Sequence, residues 1–171
     1  MGVSGRDLKF LSGMDILKEL TREELERFSG TAREVRFKAR DVIMREGEIG
    51  DAMYFFIDGE VDVTKELTLK VGRAGFSQAE KSMVKLRPGS SGVFGDMAMF
   101  GDEPRSATIT ASSDCVLYEV KRADFRKLCD ENPDMGVKLL SRLASVLCAR
   151  LRKGNADVLK LSTALSIALS K

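Results

Sequence analysis

Between Phe94 and Ala111 the chain reads FGDMAMFGDEPRSATITA, a stretch that gathers residue types suited to an anion and a sugar. Gly95 lets the backbone approach a ligand with no Cβ in the way. The ionised carboxylate of Asp96 is a pure acceptor and can take a sugar hydroxyl. Met97, Ala98 and Met99 can form one helical turn, and the free N–H groups at its front favour an anion. Arg105 offers a planar cation for phosphate oxygens, and Ser106 adds a hydroxyl beside it. Pro104 stiffens the loop, so less entropy is lost on binding. An acid for ribose and a guanidinium for phosphate, with amides between, fit a small nucleotide. The same residues also fit an ordinary turn in which Arg105 pairs with Asp102 or Glu103, because short loop motifs recur by accident.

Composition removes several other chemistries. Histidine is absent, which rules out Ser-His-Asp triads, histidine-based zinc sites and imidazole acid–base catalysis. The net charge of +2 is too small to argue for nucleic acid or an anionic membrane. Cys115, Cys129 and Cys148 are odd in number and far apart, and no signal peptide precedes them, which points to a reducing cytoplasm. No metal site or resident cofactor is expected. No apolar run approaches the ~20 residues needed to span a bilayer. Arg6 stands where a myristoylation signal wants Ser or Thr, so that signal is rejected.

The elements that must position this stretch show in the patterning. Residues 1–31 read as short helices, with a capping box at Thr21 to Glu24, Leu25 and Phe28 on one face, and Gly30 at the end. Residues 32–121 read as short strands at 33–37, 42–44, 52–57, 61–69, 82–86, 107–111 and 116–120, with 72–80 an exposed tip or loop. Residues 122–171 return to helix. There Leu140, Leu143, Leu147, Leu151, Gly154, Val158, Leu161, Leu165 and Ala168 form a heptad-like seam, and Gly154-Asn155 permits one kinked helix or two. The basic run Arg142, Arg150, Arg152, Lys153 suits a solvated helix face.

Phe94-Gly95-Asp96-Met97-Ala98-Met99 followed by Pro104-Arg105-Ser106-Ala107-Thr108 resembles the phosphate-binding cassette of cyclic-nucleotide-binding domains. Arg45 to Val61, with its glycines, Asp51, Tyr54 and the closing Asp58-Gly59-Glu60-Val61, resembles the strand–turn–strand signature of the same family. The resemblance runs from about Phe10 to Lys153. It implies a mainly β fold, an eight-stranded, jelly-roll-like double-stranded β-helix with N-terminal helices and a long C-terminal helix. It further implies that Asp96 holds the ribose 2′-hydroxyl and that Arg105 binds the cyclic phosphate. Ser106 and the amides of Gly95, Asp96, Met97 and Ala98 would complete the phosphate shell. The family usually has Glu where this chain has Asp96, which shortens the reach to ribose. Lys153 and Asn155 lie about where relatives of the bacterial catabolite activator place helix residues that touch the base, and Asn155 has donors and acceptors for a purine edge.

The function expected from these readings is a sensor that binds cyclic AMP or cyclic GMP and signals through its C-terminal helix to a partner protein, as a homodimer. Residues 154–171 are too few for a helix-turn-helix domain, so direct DNA binding is not expected. A binding-incompetent relative serving as a dimerising scaffold is the alternative. A phosphodiesterase is disfavoured by the missing histidine.

Overall fold

The computed structural model describes residues 5–71, 75–89 and 92–170. Two short helices come first, α1 (Gly5–Ser12) and α2 (Arg22–Thr31). The predicted capping box is present. The Glu24 amide donates to Thr21 Oγ1 at 3.2 Å, and the Thr21 amide donates to Glu24 Oε2 at 2.7 Å. Gly30 falls inside the last turn of α2, and Ala32 is the residue that leaves helical geometry.

Eight strands then follow among the described residues: β1 (Arg33–Phe37), β2 (Val42–Met44), β3 (Ala52–Asp58), β4 (Val61–Val71), β5 (Gly75–Leu86), β6 (Val93–Phe94), β7 (Thr108–Ala111) and β8 (Cys115–Lys121). They form two four-stranded antiparallel sheets, ordered β1-β8-β3-β6 and β2-β7-β4-β5. A 3₁₀ turn, Asp96–Met99, lies between β6 and β7. Helices α3 (Arg122–Glu131) and α4 (Pro133–Leu169) end the chain. The expected mainly β roll with flanking helices and a long C-terminal helix is therefore the observed fold.

Burial explains why β3 is apolar at nearly every position. Its odd residues Met53 and Phe55 face a core shared with α1, α2, α3 and α4, where Phe28 meets Phe55 edge-on at 5.1 Å. Its even residues Ala52, Tyr54 and Phe56 face the second core, between the sheets, with Val61, Phe94, Ile109 and Leu117. A strand covered on both faces loses the alternation of a half-buried one.

Two features depart from the sequence expectation, and a third settles a point that it left open. Residues 75–80 are strand, not loop: β5 pairs with β4 from Leu86 opposite Val61 out to Gly75 opposite Val71, while residues 72–74 lie outside the described ones. Backbone pairing in a two-stranded ribbon does not require the apolar alternation that the sequence lacks there. Strand β6 is only two residues long, too short for any period to register. Helix α4 runs unbroken through Gly154, because an exposed helical glycine costs about 1 kcal/mol and does not remove a hydrogen bond. No helix among the described residues is long and apolar enough to cross a membrane.

Glu24 also fastens the N-terminal helices to α4. Lys138 Nζ lies 2.8 and 2.9 Å from its two carboxylate oxygens. The Lys138 ammonium, and then the Thr21 amide, hold the Glu24 carboxyl below its usual value. Because the folded value is lowered, this contribution is complete above the unfolded carboxyl's range and is lost as pH falls through the folded one. Glu24→Gln is therefore expected to cost about 1 kcal/mol at neutral pH. The gap to the wild type should narrow in thermal denaturation as pH falls below the ordinary carboxylate range.

Candidate functional site

A cavity of about 380 Å³ opens between the Phe94–Ala107 loop, the second sheet and α4. The loop contributes Gly95, Asp96, Met97, Ala98, Arg105 and Ser106. The sheet contributes an apolar wall of Met44, Val63, Val84, Leu86 and Ile109. Helix α4 contributes Arg150 and Lys153. The volume is that of a small-molecule site, mostly apolar with a few convergent polar groups.

Arg105 is the most constrained of these residues. It is 9% exposed, and its guanidinium donates to the Ala52 carbonyl at 2.8 Å and the Gly95 carbonyl at 3.2 Å. It pairs with no carboxylate among the described residues. Asp102 is held instead by Arg122, which also donates to the Gly101 carbonyl, so the expected alternative of an Arg105 pair with Asp102 does not form. Two glycines make room for the guanidinium. A Cβ on Gly50 would sit 2.1 Å from Arg105 Nε, and one on Gly95 would sit 2.9 Å from Arg105 Nη1. Gly95 also has φ 73°, in the left-handed region, and this turns the chain from β6 into the 3₁₀ turn. The loop's backbone is anchored too: the Gly47 amide donates to the Arg105 carbonyl at 2.9 Å, and the Arg105 amide donates to the Glu48 carbonyl at 2.8 Å.

Asp96 is 2% exposed and is gripped by a residue far along the chain. Arg150 Nη1 lies 2.8 Å from each Asp96 oxygen, and its Nη2 donates to the Val93 carbonyl at 2.9 Å. A buried carboxylate needs such a partner. Arg150, with its side chain still 41% exposed, is thus a tether between α4 and the loop, and Arg142 likewise reaches Asp15 and Glu19. No local signal marked Arg150, because its partner lies 54 residues away.

One lining residue, Phe94, belongs to an aromatic pair. Phe94 stacks on Tyr54 at 5.3 Å, and the Tyr54 hydroxyl donates to Glu119 Oε1 at 3.2 Å. Burial, with the Glu119 carboxylate beside it, pushes the Tyr54 phenol up to about 12, so it remains a donor across the physiological range. Glu119 is also paired with Arg33 at 2.7 Å.

Of the residues singled out in the sequence, Gly95, Asp96, Met97, Ala98, Arg105 and Ser106 come together around one cavity. Lys153 joins them. Asn155 does not line it; it lies on the exposed part of α4, two positions on from Lys153. A helix turns about 100° per residue, so that step swings Asn155 away from the face that carries Arg150 and Lys153. Asp51, part of the strand–turn–strand signature, pairs with Lys121 at 3.4 Å.

Comparison with known proteins matches residues 34–132 to the cyclic nucleotide-binding domain. The chain is 31% identical over 121 residues to a cAMP-dependent protein kinase regulatory subunit of Dictyostelium discoideum, covering 71% of this chain and 35% of that protein. It is 37% identical over 94 residues to a cyclic nucleotide-gated potassium channel of Mesorhizobium japonicum, covering 55% of this chain and 22% of the channel. The chain thus spans about a third or less of these two relatives. Among solved structures, a cyclic nucleotide-binding domain from Methylobacillus flagellatus superposes with a TM-score of 0.77 at 23% identity, covering 94% of this chain and 86% of that one.

The space at Gly50 yields a direct test of the Arg105 anchor. Gly50→Ala forces the guanidinium off the Ala52 carbonyl and is expected to destabilise the fold by about 1–3 kcal/mol. Denaturant unfolding measures this, and an unchanged midpoint would show that the guanidinium is not anchored there.

Proposed function

The chain belongs to the cyclic nucleotide-binding domain family, and from that premise we propose that it is a regulatory module that binds cyclic AMP or cyclic GMP and signals through α4. The observation that carries this reading is Arg105. A guanidinium nine-tenths buried, with neutral carbonyls for partners and no carboxylate among the described residues, is an uncompensated charge facing a cavity. Burying such a charge is costly, and an anionic ligand offsets that cost. Only two of its five N–H donors are used by the carbonyls, so donors remain for phosphate oxygens. In this reading Ser106 and the amides of Gly95 to Ala98 surround the same phosphate, Asp96 meets the ribose, and the base lies against Val63, Val84 and Leu86.

Signalling follows from the Asp96–Arg150 pair. The carboxylate proposed to take the ribose hydroxyl is the one that holds α4, so ligand and helix position are coupled through one group. A ligand that contacts this pair in only one helix position shifts the equilibrium between positions. The distal part of α4 is the proposed output. Leu151, Val158, Leu161 and Leu165 are 60–71% exposed and follow heptad spacing, which suits a helix from a second copy, and a downstream protein would read the change. The proposal includes neither catalysis nor DNA binding by this chain.

The same pair supports a second reading. Both Asp96 oxygens are already engaged, and the side chain is one methylene shorter than the family's glutamate, which suits a domain that has lost its ligand and serves as a dimerising scaffold.

Calorimetric titration with cyclic AMP and cyclic GMP separates the two. The regulatory reading expects saturable binding that Arg105→Ala weakens by about 10- to 100-fold, the value of a charge-assisted hydrogen bond. No heat with either nucleotide at millimolar concentration selects the scaffold. Sedimentation tests the helix pairing: Leu161→Glu is expected to convert a dimer into a monomer while leaving the melting temperature of the roll unchanged.

A further inference from the structure

We infer that Arg122 is a positioning residue for the ligand site: it holds together the two segments that build the Arg105 anchor, without lining the cavity itself. This rests on the proposed cyclic-nucleotide reading of the cavity and adds a residue that prepares the site for its ligand.

Arg122 is the first residue of α3, and its side chain is only 16% exposed. Its amide donates to the Asp51 carbonyl at 2.6 Å. Asp51 stands between Gly50, where a Cβ would meet the Arg105 guanidinium, and Ala52, whose carbonyl that guanidinium reaches. The Arg122 guanidinium donates from Nη1 to the Gly101 carbonyl and from Nη2 to the Asp102 carboxylate. One residue therefore grips the entry to β3 with its backbone and the loop that carries Arg105 with its side chain.

The loop needs such a grip. Residues 101–103 have no regular secondary structure, and Phe100, Asp102, Glu103 and Pro104 are exposed, so packing does not fix them. At the far end the loop is held by the Ile49–Pro104 bridge and by the backbone bonds of Arg105 to Gly47 and Glu48. Arg122 holds the near end, just after the 3₁₀ turn. Between these two points runs the chain from Asp96 to Arg105, the carboxylate and the guanidinium whose separation the nucleotide must match. A carbonyl and a neighbouring carboxylate suit the planar fork of a guanidinium, which fixes two acceptors at once.

Without this grip the loop samples positions in which Asp96 and Arg105 are not both aimed at one ligand. Only the competent fraction of molecules then binds, and the apparent affinity falls by that fraction. The loss shows in the association rate, because the nucleotide's own contacts hold the loop once it has bound. A side chain that touches the ligand shows its loss in the dissociation rate instead.

The test is surface plasmon resonance on the immobilised full chain, with cyclic AMP and cyclic GMP, for the wild type, Arg122→Met and Asp102→Ala. Melting curves show which variants fold. Asp102 has a side chain 80% exposed, so its variant keeps the core intact. Arg122→Met should slow association about tenfold, the value of one charge-assisted hydrogen bond, with dissociation changed less than about twofold. Asp102→Ala loses one arm of the fork and should slow association by about threefold. A purely structural role would lower the melting temperature and the fraction of chains that bind, with both rate constants unchanged. Unchanged association in every variant that folds, or a loss carried by dissociation, would overturn the positioning role and leave the cyclic-nucleotide reading standing. A wild type that binds neither nucleotide would overturn that reading and this inference with it.

Discussion

The burial of one guanidinium organises this molecule. Arg105 is inserted under its loop, with the Ala52 carbonyl of β3 on one side and the Gly95 carbonyl on the other. That position requires glycine at 50 and at 95, because a Cβ at either would overlap it. It also requires β6 to end where it does, so that Gly95 can turn the chain into the 3₁₀ helix. The two segments that carry the family signatures are thus halves of one contact. The first, around Gly50 to Ala52, supplies space and an acceptor, and the second supplies the cation and the turn.

The second constraint is the tie between α4 and the rest of the chain. Three basic residues spaced along its first half make ion pairs: Lys138 with Glu24, Arg142 with Asp15 and Glu19, and Arg150 with Asp96. Met135, Leu139 and Leu143 lie beneath them in the core shared with α1 to α3. Beyond Arg150 the helix carries no buried residue among the described ones. Arg150 is therefore the last anchor of the packed half and the first residue that a change at the loop would release. A pair with an exposed partner, such as Arg142 with Asp15, contributes little. The Asp96 pair differs, because its carboxylate is buried and would be left unpaired.

Much of the fold was legible in the chain because it follows from local rules. The capping box at Thr21 and Glu24 needs only neighbouring residues. Helix and strand spans followed from periodicity wherever one face met a core. They failed where that condition failed: over 75–80, which pair only as a ribbon, and at β6, which is two residues long. The Phe94 to Ser106 segment was legible for a different reason. A glycine, an acid and an arginine at those intervals carry chemistry, and the family resemblance gave the pattern weight that spacing alone lacked.

The sequence by itself determined the residue types at the cavity, the order of the elements, and the exclusion of imidazole chemistry, since these depend on composition and short spacings. Only the tertiary structure decided which charges face one another. Arg105 had acidic neighbours at 102 and 103 and pairs with neither. Arg150 resembled surface and closes on a buried acid 54 residues before it, while Lys153 lines the cavity and Asn155 does not. Pairing between distant charges depends on where the sheets and α4 meet in space, and no spacing along the chain encodes that distance.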